Sequence, residues 1–150
     1  MYALRWALHR FREISWLERC LLSEAFALLP VVHAAQQRLP FLAWRRLMER
    51  DLPIPSPRLG RVTPAQVVWA VDAACRWVPG EYKCLPRAYT THLLLRHHAY
   101  PSQVHLGVSR AAEGTMDAHA WVECQGQIVV GQVEDMARFV PLPPLGQSSR

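Results

Sequence analysis

The chain has 150 residues, of which 51% are hydrophobic and 19% are charged. These proportions exclude a disordered chain and fit one globular domain with a modest core. The formal charge of +5 permits an acidic partner, but the basic residues are scattered and no block of five or more like charges occurs. Solvated helix faces are therefore favoured, and no nucleic-acid partner is predicted.

The most apolar stretch, CLLSEAFALLPVVHAA, does not have the pattern of a membrane span. It contains a glutamate, a proline and a histidine, and it is shorter than the roughly 20 apolar residues that a span needs. Arg5 and Arg10 interrupt the N-terminal residues, so no secretory signal is predicted there.

Cysteine and histidine spacing predicts neither a metal site nor a disulfide framework. Cys20, Cys75, Cys84 and Cys124 form no CxxC pair, and the seven histidines show no HxxxH or HExxH spacing. Dispersed cysteines without a signal are typical of the reducing cytosol, so a cytoplasmic location is predicted.

Residues 1–51 are predicted to form a helical N-terminal part. Ser15 and Glu18 have the spacing of a capping box, and the helix after them should run to about Leu29, where Pro30 ends or kinks it. Two further helical pieces are predicted at residues 31–39 and 41–51.

A connector and a second helix signal follow. Residues 52–62 hold three prolines and a glycine and predict an extended segment. Thr63, Pro64 and Gln66 are suited to the N-cap, N1 and N3 positions of a helix, which should stop at Pro79.

Cys84 stands where the next helix begins. It precedes Leu85-Pro86-Arg87, and Pro86 suits the first turn of a helix that should run to about His98. Unpaired N–H groups and the helix dipole favour an anion at such a position, which raises the thiolate fraction and provides oxyanion donors. Arg87 adds positive charge nearby. A buried structural cysteine is the alternative reading.

After Tyr100 the apolar period changes from 3.6 to 2. Val104 to Val108 alternate as a half-buried strand should, and residues 119–124 and 127–131 predict two more strands around a tight turn. The order of elements indicates an α+β domain in which the cysteine helix packs on a small antiparallel sheet.

His119 opens the second of these strands, after a loop, where a helix N-terminus packed on the sheet is within reach. A nucleophilic thiol needs a base, so Cys84 and His119 are the candidate nucleophile and base. The other histidines of this half are interpreted as surface or helix-end residues: His92, His97, His98 and His105.

The block CLPRAYTTHLLLRHHAYPSQVHLGVSR, followed by AHAWVECQGQIVVG and ARFVPL, resembles the stand-alone transglutaminase-like cysteine peptidases of lasso-peptide biosynthesis. These enzymes remove the leader peptide from the precursor. The resemblance covers about Thr63 to Leu142. It implies a papain-like domain with a Cys-His-acid triad, in which Cys84 is the nucleophile and His119 the base, and no cofactor. The chain is then one domain, residues 1–150, with a catalytic core at 63–142 and a loose tail at 143–150.

The resemblance also implies partners. The precursor peptide is the substrate, a separate small protein binds the leader, and an ATP-dependent lasso cyclase acts on the product. Trp6, Trp16 and Phe26 are candidates for a docking face, with core packing as the alternative.

The third triad member is where the sequence departs from the family pattern. An acid is expected about a dozen residues beyond His119, and Gly131 stands there. Glu134 is the predicted acid, because a β-bulge could bring it back. Asp135 and Gln132 remain alternatives, Gln132 as a neutral acceptor. A structural alternative is that Glu134 and Asp135 cap a short helix.

Two other functions remain open. The same residues could pass the acyl group to an amine, as transglutaminases do. A non-catalytic module that binds a peptide and has lost its acid is the other alternative.

Overall fold

The computed structural model describes residues 14–50, 52–55, 57–80, 82–110 and 114–143. Its helices are α1 (Trp16–Arg38), α2 (Phe41–Met48), α3 (Pro64–Trp77) and α4 (Cys84–His97). Its strands are β1 (Ser102–Arg110), β2 (Met116–Cys124), β3 (Gln127–Val130) and β4 (Val140–Pro141). The helices precede the strands, which confirms the predicted α+β class.

The first helix is longer than the sequence predicted. Pro30 lies inside α1 rather than at its end, so the predicted break is wrong. The helix continues because residues on both sides of the proline are in the core, with Leu29 and Val32 almost fully buried, and this packing offsets the lost backbone hydrogen bond. No helix in the described part of the chain is long and apolar enough to cross a membrane.

Helix α4 lies at the centre of the domain. It packs against α1, α3, β1 and β2, and every residue from Ala88 to Leu95 is buried. His92 is only 5% exposed, with its Nδ1 atom 2.8 Å from the Ser102 hydroxyl. The interpretation of His92 as a surface residue is therefore wrong, because a helix buried all round has no solvent face.

The strands form one antiparallel sheet in the order β3-β2-β1-β4. The short strand β4, which the sequence did not predict, pairs with Gly107 and Val108 of β1. The turn between β2 and β3 contains Gln125 and Gly126, both with positive φ, as a two-residue hairpin of type I′ requires. Alternation along β2 sends Ala120 and Val122 into the core that the helices share.

The capping box at the start of α3 gives a test of the fold. The Thr63 hydroxyl accepts a hydrogen bond from the Gln66 N–H at 3.3 Å, and the Gln66 side chain accepts one from the Thr63 N–H at 2.9 Å. We expect Thr63→Ala to lower the free energy of unfolding by about 1 kcal/mol in denaturant titrations. Thr63→Ser, which keeps the hydroxyl, should remain close to the unsubstituted protein, and equal losses in both variants would contradict a capping role.

Candidate active site

Cys84 is the first residue of α4. The N-cap residue, Lys83, makes no side-chain capping hydrogen bond, and Pro86 has no N–H of its own. The segment before the cysteine is anchored, since the Tyr82 hydroxyl donates to the Pro79 carbonyl at 3.1 Å. Cys84, which is half-buried, therefore begins a helix whose first N–H groups are not capped by the N-cap side chain.

The positive charge that the sequence placed near Cys84 has a partner of its own. The Arg87 Nε atom donates to the Asp72 carboxylate of α3 at 2.7 Å. Burial raises the pKa of the nearby Cys75 thiol, and the Arg87 guanidinium offsets this only in part. Arg87 thus joins α3 to α4, and its charge is largely balanced there.

His119 lies among aromatic side chains on the side of β2 that faces away from Ala120. Its ring is 6.3 Å from that of Trp121 and 5.2 Å from that of Phe139, centroid to centroid. Gly107 on β1 makes this packing possible, because a Cβ atom there would lie 2.8 Å from the Trp121 ring and 2.9 Å from the Phe139 Cβ atom. Phe139 was missed at the sequence level, although it stands within the motif ARF.

The hydrogen bond of His119 goes to the main chain. Its Nε2 atom is 2.6 Å from the carbonyl oxygen of Gly131. A register irregularity opposite Val122 and Glu123 marks a bulge in this hairpin, and Gly131 follows it with φ +83°. The predicted bulge is present, and the group that it brings to the imidazole is a carbonyl.

The three candidate orienting side chains lie just beyond. Gln132, Glu134 and Asp135 are all exposed, and in the described chain none of them is hydrogen-bonded to His119. Asp135 is the N-cap of a 3₁₀ helix, Met136–Arg138, without a side-chain capping bond. The helix expected after Asp135 therefore exists, but its N-terminal N–H groups have no side-chain cap.

Cys84 and His119 are at similar distances along their elements from the connection between α4 and β1, but the His119 side chain lies on the face of β2 opposite Ala120 and Val122, which face the core. Residues 98–101 join the C-terminal end of α4 to the start of β1, and the two elements pack together. Strand β1 therefore runs antiparallel to α4. Strand β2 is antiparallel to β1 and so runs in the same direction as α4. His119 pairs with Gly107, about 17 Å along β1, and Cys84 is about 20 Å along α4 from His97. No hydrogen bond joins the thiol to the imidazole among the residues described.

A group of potential metal ligands lies at the opposite end of α4. Glu24, His97 and His98 have ligand atoms within 4.8 Å of one another. The His98 Nε2 atom is 2.8 Å from the Glu24 carboxylate, whereas a tetrahedral zinc ion would hold two ligand atoms about 3.4 Å apart. The spacing is that of a direct hydrogen bond, which fastens the end of α4 to α1. His98 is the C-cap of α4 and is 8% exposed, so it is a helix-end residue, as the sequence analysis allowed, and not a surface residue.

The described chain combines a buried helix that begins at a cysteine with an antiparallel sheet whose second strand contains a histidine. Residues 25–143 match the family model of the transglutaminase-like superfamily, so the chain belongs to this superfamily. The superfamily includes cysteine peptidases, and its members commonly have cysteine-dependent hydrolase or transferase activity. No curated protein and no solved structure matches the chain.

The thiols of Cys75, Cys84 and Cys124 should differ in reactivity. Burial raises the pKa of Cys75 and of Cys124, so both stay protonated at neutral pH, whereas Cys84 adjoins open N–H groups. We expect iodoacetamide at about pH 7 to alkylate Cys84 at least about tenfold faster than either of these two. Peptide mapping by mass spectrometry measures the rates, and similar rates at all three positions would contradict an activated Cys84.

Proposed function

We propose that the protein is a cysteine peptidase that removes the leader peptide from a lasso-peptide precursor. Cys84 is the nucleophile and His119 the general base. His119 takes the proton of the thiol, the sulfur attacks the carbonyl carbon that joins leader to core, and N–H groups at the start of α4 stabilise the oxyanion. The protonated imidazole then gives its proton to the leaving amine, and water releases the acyl-enzyme.

The observation that carries this proposal is the position of Cys84. It is the first residue of α4, the most buried of the described helices, where N–H groups without a side-chain cap favour a thiolate, and the proposal requires the imidazole of His119 on β2 to reach it. The superfamily supports cysteine chemistry. The finer activity is supported by the resemblance of the blocks around Cys84 and His119 to the leader peptidases.

The reaction requires the imidazole to come within hydrogen-bond distance of the Cys84 sulfur. Such contacts are often long in a free enzyme and shorten when substrate binds. The sequence predicts Glu134 for the third position, with Gln132 and Asp135 as alternatives, but none of the three is hydrogen-bonded to His119 in the described chain.

The proposed partners are the precursor peptide, a separate leader-binding protein and an ATP-dependent lasso cyclase. The support for a docking face is the apolar surface of the first two helices, where Trp16 is 77% exposed and Phe41 and Leu42 are 48% and 56% exposed. Phe26 is half-buried and packs against the core, and Trp6 lies outside the described residues. A cytoplasmic location remains part of the proposal.

Cys84→Ala tests the mechanism directly. We expect it to abolish cleavage of a precursor peptide, presented with its leader-binding protein, because no other thiol has the same position. His119→Ala should lower the cleavage rate by orders of magnitude. His105→Ala is the matched control, since His105 also stacks on Trp121 but has no proposed role in the reaction, and it should retain activity. Cleavage by Cys84→Ala at the original rate would refute the mechanism.

Two other outcomes are chemically distinct. Acyl transfer to an amine would join two peptides with loss of ammonia, whereas hydrolysis adds one water, and mass spectrometry of the products separates them. A non-catalytic peptide-binding protein is favoured by one observation, the glycine at position 131 in place of an acid. It predicts peptide binding without any product, and equal alkylation rates for Cys84 with and without His119.

A further inference from the structure

We propose that the main-chain carbonyl of Gly131 orients the imidazole of His119 and takes the place of the carboxylate of a Cys-His-acid triad. The inference rests on the proposed function of Cys84 and His119, and it goes beyond that function because it assigns the positioning group and the tautomer. Gly131 acts through the histidine and does not touch substrate.

The hydrogen bond fixes which nitrogen carries the proton. A carbonyl oxygen accepts hydrogen bonds and cannot donate one. The Nε2 atom, 2.6 Å from the Gly131 oxygen, must therefore be the protonated nitrogen of the neutral ring. The lone pair is then on Nδ1, which becomes the atom that can accept the proton of Cys84.

The backbone at position 131 excludes the side chain that the family pattern asks for. Gly131 has φ +83°, a conformation that residues with a Cβ atom rarely adopt. A Cβ atom there would lie 2.5 Å from the Ala120 carbonyl oxygen and 2.9 Å from the Trp121 Cα atom, both in the backbone of β2. An aspartate at this position would require the two strands to separate, so the backbone itself must supply the acceptor.

Neighbouring packing holds the ring in this orientation. Phe139 is 6% exposed and Trp121 7% exposed, and both contact the ring of His119. Phe139 is held in turn by Arg138, whose guanidinium lies 4.7 Å from the Phe139 ring centre and pairs with Asp117 of β2 at 3.0 Å. The imidazole is therefore oriented by one hydrogen bond to the Gly131 carbonyl and by two neighbouring aromatic rings, without a carboxylate.

The proton balance of the step is simple. The Cys84 S–H proton passes to Nδ1, the Nε2–H bond to Gly131 is kept, and the sulfur becomes a thiolate beside an imidazolium ion. A neutral carbonyl stabilises this ion less than a carboxylate does, but it preserves the productive tautomer. In a serine protease, an asparagine in place of the triad aspartate costs about 10⁴-fold because it stabilises the wrong tautomer. Gly131 avoids that loss.

The first test determines the tautomer of His119 directly. Long-range proton–nitrogen NMR spectra of nitrogen-15-labelled protein at about pH 8, above the ordinary range for histidine, should show His119 protonated at Nε2 and unprotonated at Nδ1. The spectrum of His119→Gln assigns the signals. Protonation of Nδ1 with an unprotonated Nε2 would overturn the proposal. Protonation of both nitrogens is the state that a thiolate at Cys84 produces, so the spectrum is repeated with Cys84→Ala, in which the ring should be neutral and protonated at Nε2 only. Because this measurement needs no substrate, it can fail or succeed independently of the proposed peptidase activity.

The second test asks whether a side chain, rather than the Gly131 carbonyl, orients the imidazole of His119. Gln132→Ala, Glu134→Ala and Asp135→Ala should each leave the alkylation rate of Cys84 within about threefold of the unsubstituted protein, since orienting residues change rates by orders of magnitude. His119→Ala is the positive control, with a large loss. A loss greater than threefold in any of the three variants would show that its side chain orients the imidazole and would overturn the role of Gly131.

Discussion

The packing of α4 between the other helices and the sheet is the interaction on which the rest of the structure depends. The helix is buried along almost its whole length, so its axis is fixed on every side. At its C-terminal end, His98 is hydrogen-bonded to Glu24 of α1, and near its start Arg87 is paired with Asp72 of α3. The two polar contacts prevent the helix from sliding, and the position of Cys84 follows from them.

Local chemistry made much of this fold predictable. The predicted capping box at the start of α1 and the predicted N-cap of α3 are both present, because they involve residues three apart and need no tertiary information. The alternation of β1 and β2 was predicted for the same reason, and β2 begins at Met116, three residues before the predicted start. Pro30 was misread because its tolerance depends on core contacts made by its neighbours.

The remaining errors concern pairs of residues that lie far apart in the sequence. His92 is buried in the middle of α4 and is hydrogen-bonded to Ser102, a partner that a helical wheel does not show. The sequence predicted the cysteine at a helix start, but the histidine that it placed at the start of a strand is the fourth residue of β2. The acceptor for His119 was not predicted, because a carbonyl group carries no sequence signal and its position depends on a bulge two residues earlier.

The glycine after that bulge also limits how the site can evolve. An acid cannot be restored at position 131 by a single substitution, since any Cβ atom there meets the backbone of β2. Recovery of a carboxylate at this position would require a change in the length of β3 that moves the bulge, and every residue beyond it would shift together. In a protein with this hairpin, a carboxylate at position 131 therefore requires a change of strand register and not only a point mutation.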